Sequence, residues 1–225
     1  MSAFPFPMVG FDLDGTLVDS NADLAPAINH ALSTIGRGPI APDATRRLIG
    51  GGSRLMLERA LNLTGGMLDD ADFPPVYDAM IEHYSDHITD HTLPYPGCLA
   101  ALDDLDRRGV TLAVVTNKPE HLARKLLDEL DMTARFAAIL GGDSLPKKKP
   151  EPDQIHEAIR QMGQQGRFAM VGDSSFDVRA ARNAGAPCAV FSFGYLDMDP
   201  ADMDAAAVLD HWDELVPALL QIGAE

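Results

Sequence analysis

Apolar residues along this chain form short continuous runs that alternate with longer segments of helical spacing. Residues 8–11 are a short apolar run between Pro7 and a cluster of Asp and Gly, a pattern that predicts a β-strand. Residues 110–116 form a longer continuous run, typical of a strand that is buried on both faces. By the same criteria we predict strands at residues 137–140, 168–171 and 188–193.

Helical patterns lie between these predicted strands. They cover residues 98–108, a segment that begins at Pro119, and residues 154–162 and 177–183. Repeated β–α units of this kind specify an α/β fold with a doubly wound, mostly parallel sheet. Residues 201–225 contain Trp212 and leucines at helical spacing, so we interpret them as a packing element without a catalytic part.

The pattern changes between Asp19 and about Thr92, where the strand signals give way to helical ones. Four helices are predicted there, at residues 24–35, 42–49, 53–63 and 76–87. A structureless loop of that length would be unusual. We therefore expect residues 20–92 to form a small helical cap domain, and residues 1–19 and 93–225 to form an α/β catalytic core.

The charge of the chain limits its partners. It has 225 residues, a formal net charge of −16 and only five lysines. That balance argues against a nucleic-acid partner, because a phosphate backbone requires a face rich in Lys and Arg. A small anionic ligand would need positive potential at one place, supplied by a bound cation, backbone N–H groups or a few basic side chains.

Cysteine usage and the N-terminal residues indicate the compartment. Cys98 and Cys188 are the two cysteines, each lies in an apolar stretch, and the chain has no Cys-x-x-Cys spacing, so buried thiols in a reducing compartment are expected. The N-terminal residues have neither a basic stretch nor an apolar segment suited to a signal peptide or a membrane span. We expect a cytoplasmic protein without membrane contacts, as a monomer or homodimer.

The most informative segment is the run FDLDGTLVDS at residues 11–20, directly after the first predicted strand. Asp12 and Asp14 lie two positions apart, and Gly15 can tighten the turn that follows them. Carboxylates this close repel each other unless a cation lies between them or one carries a proton. Mg²⁺ suits such a set of oxygen ligands. The alternative is a turn that uses Asp and Gly for backbone reasons alone.

Three further polar clusters follow later predicted strands. Thr116 and Asn117 can donate hydrogen bonds to phosphate oxygens, although Thr-Asn is also an ordinary helix cap. Lys149 lies in KKKPEP, where prolines restrict the backbone around it, although a lysine run is usually solvated. Asp173 is a further carboxylate for a cation. Asp177 is either a partner that orients it or an acid that complements a helix dipole.

Taken together, these clusters resemble the haloacid dehalogenase superfamily of phosphohydrolases over residues 11–193. The runs DLDGT and GDSSFD carry the resemblance, and the Thr-Asn and Lys-Pro elements support it. The resemblance implies these roles: nucleophile for Asp12, acid/base for Asp14, phosphate binding for Thr116, Asn117 and Lys149, and Mg²⁺ binding for Asp173 together with Asp12 and Asp14.

Within that superfamily, two other reactions are disfavoured by the residues present. Dehalogenases lack the second aspartate, which is present here as Asp14. Phosphonatases use a cap lysine, whereas the first lysine of this chain is Lys118. A catalytically idle protein that binds a partner or senses a metabolite would be expected to have lost Asp12 or Asp14, and both are present.

The substrate is expected to be a small phosphorylated metabolite. Residues 48–61, LIGGGSRLMLERAL, look like the corresponding stretch of phosphoglycolate phosphatases. Gly52 and Ser53 at a helix N-terminus and the guanidinium of Arg54 would then contact a carboxylate of the substrate. The alternatives are a plain Gly-rich turn, a β-phosphoglucomutase-like enzyme, and a phosphatase for sugar phosphates, amino-sugar phosphates or pyrophosphate.

Overall fold

The apolar runs of the sequence become strands because both faces of the sheet are covered. The computed structural model describes residues 4–224. In chain order its strands are β1 (Met8–Phe11), β2 (Val18–Asp19), β3 (Leu93–Pro94), β4 (Thr111–Val115), β5 (Ala138–Leu140), β6 (Phe168–Gly172), β7 (Cys188–Phe191) and β8 (Ala207–Leu209). The helices are α1 (Asn21–Thr34), α2 (Pro42–Arg46), α3 (Ser53–Thr64), α4 (Phe73–Asp86), α5 (Cys98–Arg107), α6 (Glu120–Glu129), α7 (Asp153–Met162), α8 (Ser175–Asn183) and α9 (Leu215–Ala224).

Six strands form one parallel sheet in the order β5-β4-β1-β6-β7-β8. The chain leaves β1, builds β4 and β5 on one side, and then crosses to β6 on the other side of β1. Ligands of doubly wound sheets bind at the carboxyl ends of the strands, beside such a reversal of strand order. The predicted α/β fold with a mostly parallel sheet is confirmed.

Alternate residues of each central strand pack into two different apolar layers. Val9 and Val114 belong to the larger layer, which includes α5, α6 and α9 and continues into the helices of residues 20–92. Met8 and Val115 belong to the other layer, against α7 and α8. This two-sided burial makes the strands continuous apolar runs instead of alternating ones.

Residues 20–92 contain α1 to α4, as the helical periodicity predicts. Strands β2 and β3, which the sequence patterns did not predict, form an antiparallel pair at the entry to and exit from this segment. Asp23 of α1 accepts hydrogen bonds from the backbone N–H groups of His91 and Thr92 and from the Thr92 hydroxyl. The two ends of the helical segment are thereby held together. Its assignment as a separate cap domain stays a prediction.

Residues 201–225 contain one strand that the sequence patterns did not predict, β8, which adds a sixth strand before Trp212 and α9. The prediction of a helix over residues 42–49 is wrong at its C-terminal end: α2 ends at Arg46, and the chain leads on to Gly50, whose φ of +101° is not helical. Across residues 4–224, no helix combines the length and apolarity needed to cross a bilayer.

Candidate active site

The loop after β1 brings its two aspartates to the carboxyl edge of the sheet. The Gly15 N–H donates to the Val18 carbonyl over 2.9 Å and closes a tight turn. Gly15 has a φ of +87°, and a Cβ atom there would overlap the carboxylate of Asp173. Glycine is therefore required at this position both for the backbone conformation and for the approach of the β6 loop.

Asp12, Asp173 and Asp177 form one carboxylate cluster, with an oxygen of each within 4.8 Å of the others. The Lys149 ammonium lies 2.6 Å from Asp177 Oδ1 and 3.0 Å from Asp12 Oδ1. Lys149 is only 2% exposed. A buried ammonium is stable only when it is paired in this way.

Burial and mutual repulsion perturb the acids of this cluster. Burial raises the pKa of Asp12 to about 6, against the opposing charge of Lys149. The pKa of Asp173 is raised well above its usual range, mainly by burial and to a smaller extent by the negative charges of Asp12 and Asp177. Burial lowers the pKa of Lys149, but the two neighbouring carboxylates outweigh it and leave the pKa raised. Carboxylates in this environment favour a nearby cation.

The start of α8 holds Asp173 and Asp177 in place. Ser174 caps the helix, and Asp177 Oδ2 accepts from its backbone N–H at 3.1 Å and its hydroxyl at 2.6 Å. Asp173 accepts from the Thr16 hydroxyl at 2.9 Å and from the Tyr195 N–H at 2.5 Å. Asp177 thus accepts from Ser174 and Lys149 and is fully buried, which fits the predicted role of a partner that orients the neighbouring groups.

The charges and donor atoms of the site fit Mg²⁺. The described donors in the cluster are carboxylate oxygens, the ligand type that Mg²⁺ prefers. Together with Asp14 and Lys118, described below, the site contains four carboxylates and two ammonium groups. Their ionised forms leave two negative charges, which a divalent cation would neutralise.

Hydrogen bonds of Asn117 and Gln154 connect the ends of β4 and β5 to the Lys149 loop, the segment between β5 and α7 that carries Lys149. Thr116 is buried and, with Asp12, lines a cavity that is described below. The Asn117 amide donates to the Lys149 carbonyl at 3.0 Å, so in this structure it holds the loop. Gln154 is fully buried, donates to the carbonyls of Thr116 and Gly141, and accepts from the Lys149 N–H.

Asp14 is not among the three carboxylates of the cluster, and its role as a Mg²⁺ ligand stays a prediction. Lys118 Nζ donates to its two oxygens at 2.9 and 3.0 Å, and the Ser20 hydroxyl donates to Oδ1 at 2.7 Å. Lys118 Nζ also donates to the hydroxyl of Tyr84, on α4, at 2.7 Å. Burial lowers the pKa of Lys118 even though the charge of Asp14 opposes the effect.

A cavity of about 50 Å³ lies between the sheet edge and the helical segment. Its polar wall includes Asp12, Asp14, Thr116, Lys118 and Ser53, and its apolar wall includes Leu24, Ile49, Met56, Met80, Ile81 and Leu122. A single water needs about 10–15 Å³, so a cavity of this volume suits a small ligand.

The predicted cap contacts are only partly directed at this cavity. Gly52 and Ser53 line it, and the Ser53 hydroxyl lies 2.7 Å from the Tyr77 hydroxyl. The Arg54 side chain is 65% exposed, pairs with Glu58 at 2.9 Å and lies over the Phe73 ring. In this arrangement Arg54 does not line the cavity, because its guanidinium lies over the Phe73 ring.

The sequence profile of haloacid dehalogenase-like hydrolases matches residues 9–191, most of the chain. The chain belongs to this family. The family prediction made from the four strand-end clusters is confirmed.

Relatives of this haloacid dehalogenase-like hydrolase align along nearly its whole length. A phosphoglycolate phosphatase of Agrobacterium fabrum is 42% identical over 96% of this chain and 93% of its own length. One from Mesorhizobium japonicum is 37% identical over 96% and 95%. The crystal structure of a predicted phosphoglycolate phosphatase from Haemophilus somnus is 29% identical, with a TM-score of 0.88, and covers 95% of this chain and 97% of that one. The predicted likeness to phosphoglycolate phosphatases, which are phosphoric monoester hydrolases, is confirmed.

The structure of this hydrolase also shows functional candidates that sequence reasoning missed. Lys118, Tyr84 and Ser20 surround Asp14 but received no role. Lys118 carried one signal, since a chain with five lysines places one directly after Thr116-Asn117. Tyr84 and Ser20 had none, because their positions relative to Asp14 depend on how the helical segment packs on the sheet.

Proposed function

We propose that this phosphatase is Mg²⁺-dependent and hydrolyses a small phosphate monoester, with 2-phosphoglycolate as the first candidate. The reaction would proceed through a phosphoryl group carried on Asp12, with Asp14 as general acid and base. The observation that carries this proposal is the group of the partly buried Asp12 with the buried Asp173, Asp177 and Lys149 at the carboxyl end of β1.

Each residue of the site would have its own role in phosphoryl transfer, a reaction that depends mainly on positioning the reactants and on neutralising their charge. An Asp12 oxygen would attack phosphorus, while Lys149 and Thr116 bind the oxygens of the transferred group. Mg²⁺, held by Asp12 and Asp173, would supply further positive charge there. Lys149 also keeps Asp12 ionised, because the ammonium opposes the rise in the pKa of Asp12 that burial causes.

Asp14 would act at the leaving oxygen in the first step and on water in the second. As the ester P–O bond breaks, the proton of Asp14 would move to the leaving oxygen and leave Asp14 as a carboxylate. That carboxylate would take a proton from the water that attacks phosphorus, and phosphate would be released as the Asp12–phosphorus linkage breaks. The sequence of steps regenerates both aspartates.

The size of the cavity and the named relatives support a small substrate. A volume of about 50 Å³ favours 2-phosphoglycolate over sugar phosphates. The N-terminal end of α3, at Gly52 and Ser53, faces the same cavity and would favour a carboxylate on the substrate. Relatives at 37–42% identity are named phosphoglycolate phosphatases.

Phosphate release from a panel of esters, with and without Mg²⁺, tests the proposal. The panel contains 2-phosphoglycolate, a sugar phosphate and pyrophosphate, and 2-phosphoglycolate should give the highest kcat/KM. Asp12→Asn keeps the shape of the side chain but removes the nucleophile, so turnover should fall by at least about 10³-fold while circular dichroism is unchanged. Retained activity in this variant, or in excess chelator, would contradict the mechanism.

A further inference from the structure

The Lys118 ammonium uses all three of its N–H donors within the site. Two donate to the oxygens of Asp14, and the third donates to the Tyr84 hydroxyl at 2.7 Å. The Tyr84 ring centroid also lies 4.3 Å from Nζ. An ammonium has three donors and no acceptor, so these contacts fix its orientation completely.

Tyr84 belongs to the helical segment, whereas Lys118 and Asp14 belong to loops at the edge of the sheet. Tyr84 is 2% exposed and Lys118 is 6% exposed, so water does not readily replace either contact. The pKa of Tyr84 is raised well above its usual range, mainly by burial and to a smaller extent by the negative charge of Asp14. A neutral tyrosine hydroxyl is therefore available to accept from Lys118.

Asp14 receives its other polar contact from the beginning of the helical segment. Ser20, which directly precedes α1, donates its hydroxyl to Asp14 Oδ1 at 2.7 Å. The position of Asp14 thus depends on residues at two separate points of that segment. A shift of α4 relative to the sheet would break the Tyr84 contact and free Lys118 to reorient.

We propose that Tyr84 is a positioning residue which, through Lys118, orients the Asp14 carboxyl group when the helical segment packs against the sheet. This inference rests on the proposed function of Asp14. With Tyr84 in place, Asp14 is aligned with the leaving oxygen as the Asp12–phosphorus bond forms and the ester bond breaks. After proton transfer, Lys118 pairs with the resulting carboxylate, the arrangement that the structure contains.

A comparison of alkyl and aryl phosphates as substrates distinguishes this positioning role of Tyr84 from a purely structural role. Departure of an alkoxide needs the proton from Asp14, whereas p-nitrophenolate leaves without one. The parameter kcat/KM covers every step through leaving-group departure. Tyr84→Phe, which removes only the hydroxyl, should lower kcat/KM for an alkyl phosphate such as 2-phosphoglycolate by about tenfold, and for p-nitrophenyl phosphate by less than about twofold.

Tyr95→Phe is the matched control, because its buried hydroxyl has no hydrogen-bond partner among the described residues and Tyr95 does not line the cavity. It should leave the ratio of the alkyl to the aryl kcat/KM unchanged. Lys118→Met should reduce this ratio as Tyr84→Phe does, and the double variant should show no further reduction. Lys118→Met also provides the test should Tyr84→Phe unfold, as monitored by thermal denaturation.

An equal loss on both substrates in Tyr84→Phe, or multiplication of the two losses in the double variant, would overturn the assignment. If the wild-type enzyme hydrolysed no phosphate ester, the proposed function and the inference would both fail. If it hydrolysed alkyl esters and the ratio stayed constant in the Tyr84 and Lys118 variants, the inference alone would fail.

Discussion

At the scale of single residues, this acidic protein gathers its few ammonium groups at one place. Of five lysines, Lys118 pairs with Asp14, Lys149 pairs with Asp12, and Lys148 donates to the Gly51 carbonyl in the Gly-rich turn before α3. A formal net charge of −16 would repel an anionic ester from most of the surface. Around Asp12 and Asp14, the paired lysines together with the proposed divalent cation would provide the positive potential that an anionic ester needs.

Binding of Mg²⁺ should weaken as the pH falls through about 6. Burial raises the pKa of Asp12 to about 6, so below that pH the group carries a proton that must leave before it can bind a metal. Titration calorimetry should give an affinity at pH 5 at least about tenfold weaker than at pH 7.5, since one proton is displaced. Asp12→Asn should bind more weakly and lose part of this pH dependence. An affinity that is constant between pH 5 and 7.5 would show that Asp12 loses no proton on Mg²⁺ binding in this range, and would contradict its raised pKa.

Gly15→Ala should damage the site as well as the fold. The new Cβ atom would overlap the Asp173 carboxylate, in addition to the strain of a φ of +87°. We expect a loss of about 2–4 kcal/mol in the free energy of unfolding, measured with urea, and a marked loss of Mg²⁺ affinity. Gly163→Ala is the control, because its φ is +65° and its Cβ atom would meet open space. It should lose only about 1 kcal/mol and retain Mg²⁺ binding. Equal effects of the two changes would show that the overlap is unimportant.

At the scale of elements, α7 secures the Lys149 loop to the ends of two strands. Its second residue, Gln154, connects β4, β5 and the loop through three hydrogen bonds to the carbonyls of Thr116 and Gly141 and the N–H of Lys149. All of these groups lie in the buried interior, where an unpaired backbone group is costly. The position of Lys149 is therefore set in part by a helix side chain that does not line the cavity.

Gln154→Ala should lower both stability and turnover. Loss of its hydrogen bonds should reduce the free energy of unfolding by about 2–3 kcal/mol. Displacement of Lys149 should lower kcat about tenfold with a smaller change in KM. Gln161→Ala, on the same helix but exposed, should change neither quantity measurably. A normal kcat in a destabilised Gln154→Ala protein would show that Gln154 does not position Lys149 for turnover.

The sequence patterns predicted the central elements better than the peripheral ones, for a physical reason. Strands β1 and β4 are buried on both faces, so their apolar runs are visible in the sequence. Strand β8 has three residues at the edge of the sheet and exposes 46% of Val208, so it leaves little periodic signal. The helical leucines of the following α9 are the stronger pattern in residues 201–225.

The same difference applies to the candidate site. Asp12, Thr116, Lys149 and Asp173 follow strands, and the topology of a parallel sheet brings strand ends together. The direction of Arg54 depends on the rotation of α3 about its axis, and the Lys118 contact with Tyr84 depends on how a helix packs on the sheet. A sequence fixes these relations only through tertiary packing, so neither could be predicted from local patterns.

At the scale of the whole molecule, the apolar layer on one face of the sheet continues into the helices of residues 20–92. The enclosed cavity therefore has a charged wall from the sheet edge and a largely apolar wall from the helices. Exclusion of water by the apolar wall strengthens the electrostatic interactions of the charged wall. The same exclusion makes unbalanced carboxylates costly, so the stability of the whole molecule should depend on the cation.

Mg²⁺ should consequently raise the unfolding temperature of the protein. A ligand at one hundred times its Kd stabilises the native state by about 2.7 kcal/mol, which corresponds to a rise of roughly 5–10 °C for a chain of this size. The measurement is a thermal denaturation scan at pH 7.5 with Mg²⁺ or with chelator. Asp173→Asn should greatly reduce this rise, because the amide is a weaker ligand and lacks the charge that the cation neutralises. Asp213→Asn removes the same charge from an exposed position and should preserve the full rise. If both variants responded to Mg²⁺ as the wild-type protein does, the cation would be binding elsewhere, and Asp173 would owe its raised pKa to burial and repulsion without serving as a metal ligand.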